Sequence, residues 1–308
     1  MTGTTNNAFD PPVSRYVDDV GHEFGYVYID HGRSDLAVHF SAFFGAWGNA
    51  RVYRETFQGY FHRMKMLGTS TDRNWLFLCD TYGAEGNGTY YAGEAGDFFV
   101  ERAMLEVLDR VIAEHRHQYS ETVMVGSSMG ATAALKFGLL RGIKGVVAIS
   151  PHIDLDICAA TQGRESHVAF ILPDGNTQAL HNYRYTRQIR NLVDGWQNGT
   201  PLPRLYLQTC EDDKGVYEEQ ALPLAASWRA HGGSAYVDAR AVGGHTSDYA
   251  TQALLLDVIG RLSDGREPDV AAYQTDPTYA GTITKAPLAH RLRLAASITP
   301  KRLLKRFR

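Results

Sequence analysis

Ser128 occupies the centre of Gly126-Ser127-Ser128-Met129-Gly130, between the apolar run Thr122-Val123-Met124-Val125 and a helix-like stretch over 131–140. A serine at a sharp strand-to-helix turn has its hydroxyl lifted clear of the sheet, and the next backbone N–H points to where an oxyanion would form. Small residues are needed on both sides because strand and helix approach closely, and Gly126, Gly130 and Ala131 meet that demand. Those residue types at that spacing suit attack of an activated hydroxyl on an acyl carbonyl, provided a base and an acid lie nearby.

Both partners are found in the order serine, acid, histidine. Residues 204–209 alternate as a strand should and run into Cys210-Glu211-Asp212-Asp213. A helical stretch over 218–231 follows, with Leu222, Ala225, Ala226 and Trp228 among its apolar residues and Pro223 marking where regular helix begins. A second strand over 234–242 ends at Gly243-Gly244-His245, and a final helix spans 247–262. Acid after one strand and histidine after the next puts both at the carboxyl edge of one parallel sheet, beside the serine. His245 is therefore the expected general base. Asp213 is the expected acid and Asp212 the alternative, with Glu211 directed elsewhere. The N–H of Met129, with that of Phe43 or Ala42 in the loop after the strand at 35–40, would form the oxyanion hole.

The elements that must carry these groups alternate in type. Strands are expected over 24–30, 35–40, 74–79 and 144–150, the last an apolar run typical of a fully buried parallel strand. Helices are expected over 49–66, where Tyr53, Phe57, Tyr60, Phe61 and Met64 share a face, and over 97–118. This order implies an α/β architecture, a doubly wound, mostly parallel sheet with helices on both faces. One domain is expected over 1–264, with a lid-like insertion at 151–203, followed by an extension over 265–308. Two segments interrupt the alternation above the rim. The Gly- and Tyr-rich loop 80–93 offers Tyr90 and Tyr91 as a substrate-binding surface for a sugar or acyl group. The insertion carries a turn at Pro173-Asp174-Gly175-Asn176, and its basic-aromatic run at 181–187 suits an anionic or sugar ligand.

Bulk properties narrow the classes. The 308 residues are 44% hydrophobic and 21% charged, ordinary for a globular protein. No apolar run approaches the ~20 residues of a membrane span, and the N-terminus lacks the basic and apolar regions of a secretory signal. Cys79, Cys158 and Cys210 are an odd set without metal spacing and fit a reducing cytoplasm. His115 and His117 diverge on a helix, so no metal is expected there, and the expected chemistry needs no cofactor. The net charge of −3 hides an asymmetry: residues 285–308 hold eight Lys or Arg and no acid, leaving 23 basic against 34 acidic residues elsewhere. An acidic body argues against nucleic acid. The tail, where Leu303, Leu304 and Phe307 interleave with basic residues, suits peripheral contact with the inner face of an anionic membrane.

The elbow, the trailing acid and the Gly-Gly-His resemble the α/β-hydrolase superfamily over roughly residues 24–264. Asp213, three residues past Cys210 and three before Val216, resembles the superfamily's G-x-x-D-x-x-V segment, with Cys210 where glycine is usual. The stretches Phe40-Ser41-Ala42-Phe43-Phe44-Gly45, Asp80-Thr81-Tyr82-Gly83, Gly88-Thr89-Tyr90-Tyr91 and Gly96-Asp97-Phe98-Phe99-Val100-Glu101 resemble a narrower bacterial group. That group comprises the accessory-Sec glycan O-acetyltransferases and capsule-biosynthesis hydrolase-like proteins. The resemblance implies acyl transfer to or from a glycan hydroxyl, with the family's serine, acid and histidine at Ser128, Asp213 (or Asp212) and His245.

The sequence thus leads to a serine-dependent acyl-ester hydrolase or acyltransferase acting on a small-molecule or glycan acyl ester. A catalytically silent scaffold that docks through its basic tail is the alternative. A dinucleotide-binding protein is disfavoured, because Gly126 and Gly130 lie four apart and no G-K-[ST] loop occurs.

Overall fold

A computed structural model describes residues 9–43, 61–173, 188–196 and 201–283. Eight strands form one sheet: β1 Ser14–Val17, β2 Glu23–Ile29, β3 Leu36–Phe40, β4 Asn74–Leu78, β5 Thr122–Ser127, β6 Gly145–Ile149, β7 Arg204–Cys210 and β8 Ala235–Arg240. Their order is β1-β2-β4-β3-β5-β6-β7-β8. The pairs from β4 to β8 are parallel, while β1 and β2 run antiparallel at one edge. The mostly parallel α/β sheet read from the sequence is the observed fold.

The strands are apolar on both sides because both faces are covered. Every residue of β3, β4, β5 and β6 is buried. One face packs Val38, Phe40, Leu76 and Met124 against α2 (Phe99–Glu114) and α3 (Met129–Arg141). The other packs Ala37, Phe77, Val123 and Val147 against α8 (Gln252–Ser263), introduced by its Thr251 cap. The chain between these carries α1 (Met64–Leu67), α4 (Leu155–Gln162), α5 (Glu165–Ile171), α6 (Ile189–Asp194) and α7 (Leu222–Ala230). Pro223 lies in the first turn of α7 as expected, behind a π-turn at Tyr217–Ala221.

Two elements escaped the sequence reading. β1 is a short edge strand in a polar segment, paired through Ser14↔Tyr26. Beyond Asp264 the chain continues along the domain as α9 (Val270–Thr275), whose Tyr273 is fully buried. A polar cluster docks it. Asp238 Oδ2 accepts from Tyr206 Oη (2.6 Å), Gln208 Nε2 (2.9 Å) and Arg240 Nη2 (2.8 Å), and Arg240 Nη2 also donates to the Tyr273 carbonyl (2.9 Å). A buried charge is tolerable only when satisfied in this way. The helix expected over 49–66 lies outside the described residues except for its end, as do the turn at 174–176, the 181–187 run and the 285–308 tail.

Register sets the rim. Phe40 pairs with Gly126, Ser127 with Ile149, and Cys210 with Arg240. The loops leaving β3, β5, β6, β7 and β8 therefore emerge side by side.

Candidate active site

Ser128 joins β5 to α3 at φ 51°, ψ −122°, a conformation that costs a non-glycine residue about 1–3 kcal/mol. The turn is locked by neighbours: Ser128 N–H donates to the Ile149 carbonyl (2.8 Å), and its own carbonyl accepts from Ala131 N (3.0 Å). Glycine is required on both flanks. A Cβ on Gly126 would lie 2.1 Å from the Gly130 carbonyl oxygen, and one on Gly130 would lie 2.2 Å from that of Phe40. Backbone strain of this kind persists only where the surrounding structure over-determines it.

The three predicted side chains meet. His245 Nε2 is 2.9 Å from Ser128 Oγ, and its Nδ1 is 2.9 Å from Asp213 Oδ2. Asp213 is sealed at 1% side-chain exposure, whereas His245 keeps 22%. Asp212 is used differently. Its carboxylate accepts the N–H groups of Gly244 (2.6 Å) and Gly243 (3.2 Å), which folds the loop that carries His245. The two candidate acids are thus placed differently: Asp213 reaches the ring and Asp212 accepts from the backbone beside it. Cys210, standing where glycine is usual, is accommodated by Gly243, where a Cβ would come within 2.7 Å of the sulfur. Burial pushes the Cys210 thiol up to about 12, so it stays protonated and inert.

Met129 is the first residue of α3, so its N–H has no carbonyl one turn back to bond. Ala42 and Phe43 follow β3 at the same rim, and the Phe43 ring lies 4.4 Å from the Arg164 guanidinium carbon. Tyr90 and Tyr91, offered by the sequence as a substrate surface, lie inside the fold. Both are buried (3% and 0% exposed), and Tyr91 Oη donates to the carbonyls of Ser41 and Leu78. The physical reason is Asp80, buried at the end of β4, which accepts from the N–H groups of Tyr82, Thr89 and Tyr91 and from the Thr89 hydroxyl. It turns the loop inward and carries both rings with it. Burial raises the Asp80 carboxyl, against the pull of these donors.

Four contributors were missed in the sequence. His152, three residues past β6, stacks on His245 with centroids 4.4 Å apart and planes 7° apart. Gln162, the last residue of α4, donates to Asp213 Oδ1 (3.1 Å) and to the Lys214 carbonyl (2.8 Å). Arg164, half-buried between α4 and α5, has a shielded Nε without a hydrogen-bond partner. Arg63 binds the Ser127 hydroxyl and the Ser247 carbonyl, tying the elbow to the segment after His245. The one signal available was position: an imidazole just past a parallel strand belongs to the carboxyl rim. Gln162, Arg164 and Arg63 gave none. Among the described residues no group of three or more His, Cys, Asp or Glu could hold a metal, and no helix is long and apolar enough to cross a membrane.

No family model and no curated protein matches the sequence. Solved structures do match. The capsule O-acetyltransferase of Neisseria meningitidis serogroup A aligns with TM-score 0.61 and 18% identity, over 83% of this chain and 97% of that one; a mutant of that enzyme is known in complex with CoA. The acylaminoacyl peptidase of Pyrococcus horikoshii aligns with TM-score 0.61 and 13% identity, over 86% of this chain and 44% of that one. A ferulic acid esterase aligns with TM-score 0.53 and 13% identity, over 82% and 97%. At these identities the likeness concerns the fold.

Proposed function

We propose that this chain, an α/β-hydrolase by fold, is a serine-dependent acyltransferase or esterase that works through an acyl-enzyme and uses an acylated glycan or glycolipid. The observation that supports it best is the unbroken line Ser128–His245–Asp213, both links 2.9 Å, starting from a strained elbow.

The roles follow from the chemistry of each group. His245 takes the Ser128 proton at Nε2 as Oγ attacks the acyl carbonyl. Asp213 holds the other proton at Nδ1 and stabilises the imidazolium. The tetrahedral oxyanion is met by the N–H of Met129 and that of Phe43 or Ala42. The leaving group departs with the proton that His245 returns. Water or a sugar hydroxyl, deprotonated in turn by His245, then releases the acyl group. Hydrolysis and transfer share every one of these residues. The glycan acceptor is supported by the motifs around Phe40, Asp80 and Gly96. It is also supported by a structural neighbour, the capsule O-acetyltransferase, that aligns over almost its whole length. A CoA-linked acyl group is a natural donor to test, given the complex formed by that neighbour.

The test is turnover of p-nitrophenyl esters of increasing chain length, with and without candidate glycan acceptors. Ser128→Ala should lower turnover by at least about 1000-fold, the scale on which a triad nucleophile matters. Unchanged turnover would remove Ser128 from the mechanism. A fluorophosphonate that leaves Ser128 of the folded protein unlabelled would favour the silent scaffold.

A second reading concerns location. The eight basic residues of 285–308, with no acid among them, support docking on an anionic membrane face. Vesicle retention that survives deletion of 285–308 would refute it.

A further inference from the structure

His152 is more than a neighbour of the site. It is 1% exposed, and its ring lies flat against that of His245, so turning the His245 imidazole about its side-chain axis would drive the ring edge into this wall. The backbone behind the wall is pinned. The Ile149 carbonyl accepts the Ser128 N–H, the His152 carbonyl accepts Thr132 Oγ1 from α3 (2.7 Å), and Gln220 Oε1 accepts the next two N–H groups, those of Ile153 and Asp154.

The far edge of the ring is held as well. Tyr90 Oη is 3.0 Å from His152 Nδ1 and 3.5 Å from Cys158 Sγ. Burial pushes the Cys158 thiol up to about 11, so it keeps its proton and can donate to the phenol oxygen. Tyr90 and Tyr91 sit at φ 55° and 53°, a strained pair retained by Asp80 on the Tyr91 N–H and by Lys136 Nζ on the Tyr91 carbonyl (2.9 Å). Loop 80–93 thus holds the Tyr90 hydroxyl against the His152 ring. Burial first, then His245 and Arg164, drives the His152 pKa well down, so the ring is neutral. Its Nε2 is shielded from solvent without a hydrogen-bond partner, so the ring meets its surroundings by shape alone on that side.

The geometry points to His152 as a positioning residue for His245: a flat ring, pinned from behind, that keeps the base in line between Ser128 and Asp213 while protons move. This rests on the reading of Ser128, His245 and Asp213 as the reacting line. A flat neutral ring also leaves a π face against the imidazolium when it forms, without the repulsion a second charge would bring.

The experiment compares the full-length wild type with His152→Ala, Tyr90→Phe and the pair His152→Phe/Tyr90→Phe. Its readouts are kcat and KM on p-nitrophenyl acetate, the rate of fluorophosphonate labelling at Ser128, and the low-field proton NMR signal of His245 Nδ1–H. Loss of the wall should lower kcat and labelling by about 30–100-fold in His152→Ala, on the scale that misplacement of a catalytic group costs, with KM within about threefold. The low-field signal should broaden away. Tyr90→Phe should lose about fivefold, and the double variant, which restores a flat ring and leaves no hydroxyl without its acceptor, should recover to within about fivefold of wild type. The inference is overturned if His152→Ala keeps kcat and labelling within threefold of wild type. It is equally overturned if a folded double variant is as slow as His152→Ala. Should His152→Ala fail to fold, the double variant alone decides: recovery to within about fivefold of wild type supports the inference, and a loss beyond that overturns it. Wild-type protein that does not label, with Ser128→Ala fully active, would instead defeat the triad reading itself.

Discussion

Two imidazole pairs flank the carboxyl rim among the described residues, and one of them has the partners on opposite nitrogens that proton transfer needs. His245 and His152 lie stacked, and His245 keeps some solvent, a carboxylate on Nδ1 and a hydroxyl on Nε2. His39 and His62 meet edge to face at 6.0 Å, toward the other face of the sheet. His39 is fully buried, and neither ring nitrogen has a hydrogen-bond partner. Burial, then His62 and Arg63, drives its pKa well down; burial and Arg63 bring His62 to about 3. The difference teaches that a paired or buried histidine is not yet a base. An acceptor for the imidazolium on one nitrogen, opposite a hydroxyl on the other, is what makes one.

The sharpest way to break the first pair is to remove that acceptor. Asp213→Asn should lower kcat by about 1000- to 10,000-fold with KM little changed, because an amide N–H facing Nδ1 forces the proton onto Nε2, where it meets Ser128 Oγ. Steady-state kinetics on a p-nitrophenyl ester would measure it. Asp212→Asn tests the division of labour between adjacent carboxylates. An amide oxygen can still accept from Gly243 and Gly244, so the loss should stay within about tenfold. Equal losses in the two variants would dissolve the distinction the geometry draws.

Next in size is the support beneath the stack. Asp80→Ala leaves the buried N–H groups of Thr89 and Tyr91, the half-buried N–H of Tyr82 and the Thr89 hydroxyl without their acceptor. It should cost about 3 kcal/mol or more, at the upper range for buried groups left unsatisfied. Urea unfolding would register it, and the kinetic phenotype should follow that of Tyr90→Phe because the same loop delivers that hydroxyl.

How much of this was legible beforehand depends on the range of the cause. The elbow could be read because its requirement is local: residues 126, 130 and 131 must be small for strand and helix to touch, and they are. Asp213 and His245 could be read because parallel strands deliver successive loops to one edge. His152 could not be, since its partner is fixed by the Ser127↔Ile149 register and by the fold of a loop about a hundred residues away in the chain. The inward placement of Tyr90 and Tyr91 was hidden for a similar reason. Gly-rich, Tyr-rich sequence suits a binding surface, but a buried carboxylate earlier in the chain turned both rings inward. β1 was hidden in polar sequence because an edge strand with partial burial needs no apolar run.

The second pair yields a smaller, pH-dependent effect. His39, His62 and His152 are all held neutral in the fold, while the unfolded chain protonates them near the usual histidine value of about 6.5. The unfolded state therefore binds more protons on acidification, and stability that is full above that pH is lost progressively below it. Thermal unfolding should show a falling midpoint between about pH 6.5 and pH 5, with the slope approaching about three protons. His39→Phe, which keeps a ring against Phe77 and removes the orphaned nitrogens, should remove about one proton from that slope. An unchanged slope would mean that His39 is protonated in the fold, contrary to its sealed surroundings.

The smallest effect tests whether the insertion takes part in the site or only covers it. Gln162 reaches from α4 to Asp213 Oδ1, on the oxygen that His245 does not use. Removing that donor leaves a carboxylate still anchored by its backbone turn, in which Asp213 N–H donates to the Cys210 carbonyl (3.0 Å) and the Asp213 carbonyl accepts from Val216 N (3.1 Å). The amide is near enough to the surface for water to replace it. Gln162→Leu should therefore cost about threefold to tenfold in kcat, well below the charged-acceptor loss in Asp213→Asn. Gln162→Glu should cost more than leucine, because it sets a second carboxylate beside the first and removes the donor together. Leucine and glutamate variants indistinguishable from wild type would detach the insertion from the chemistry at His245.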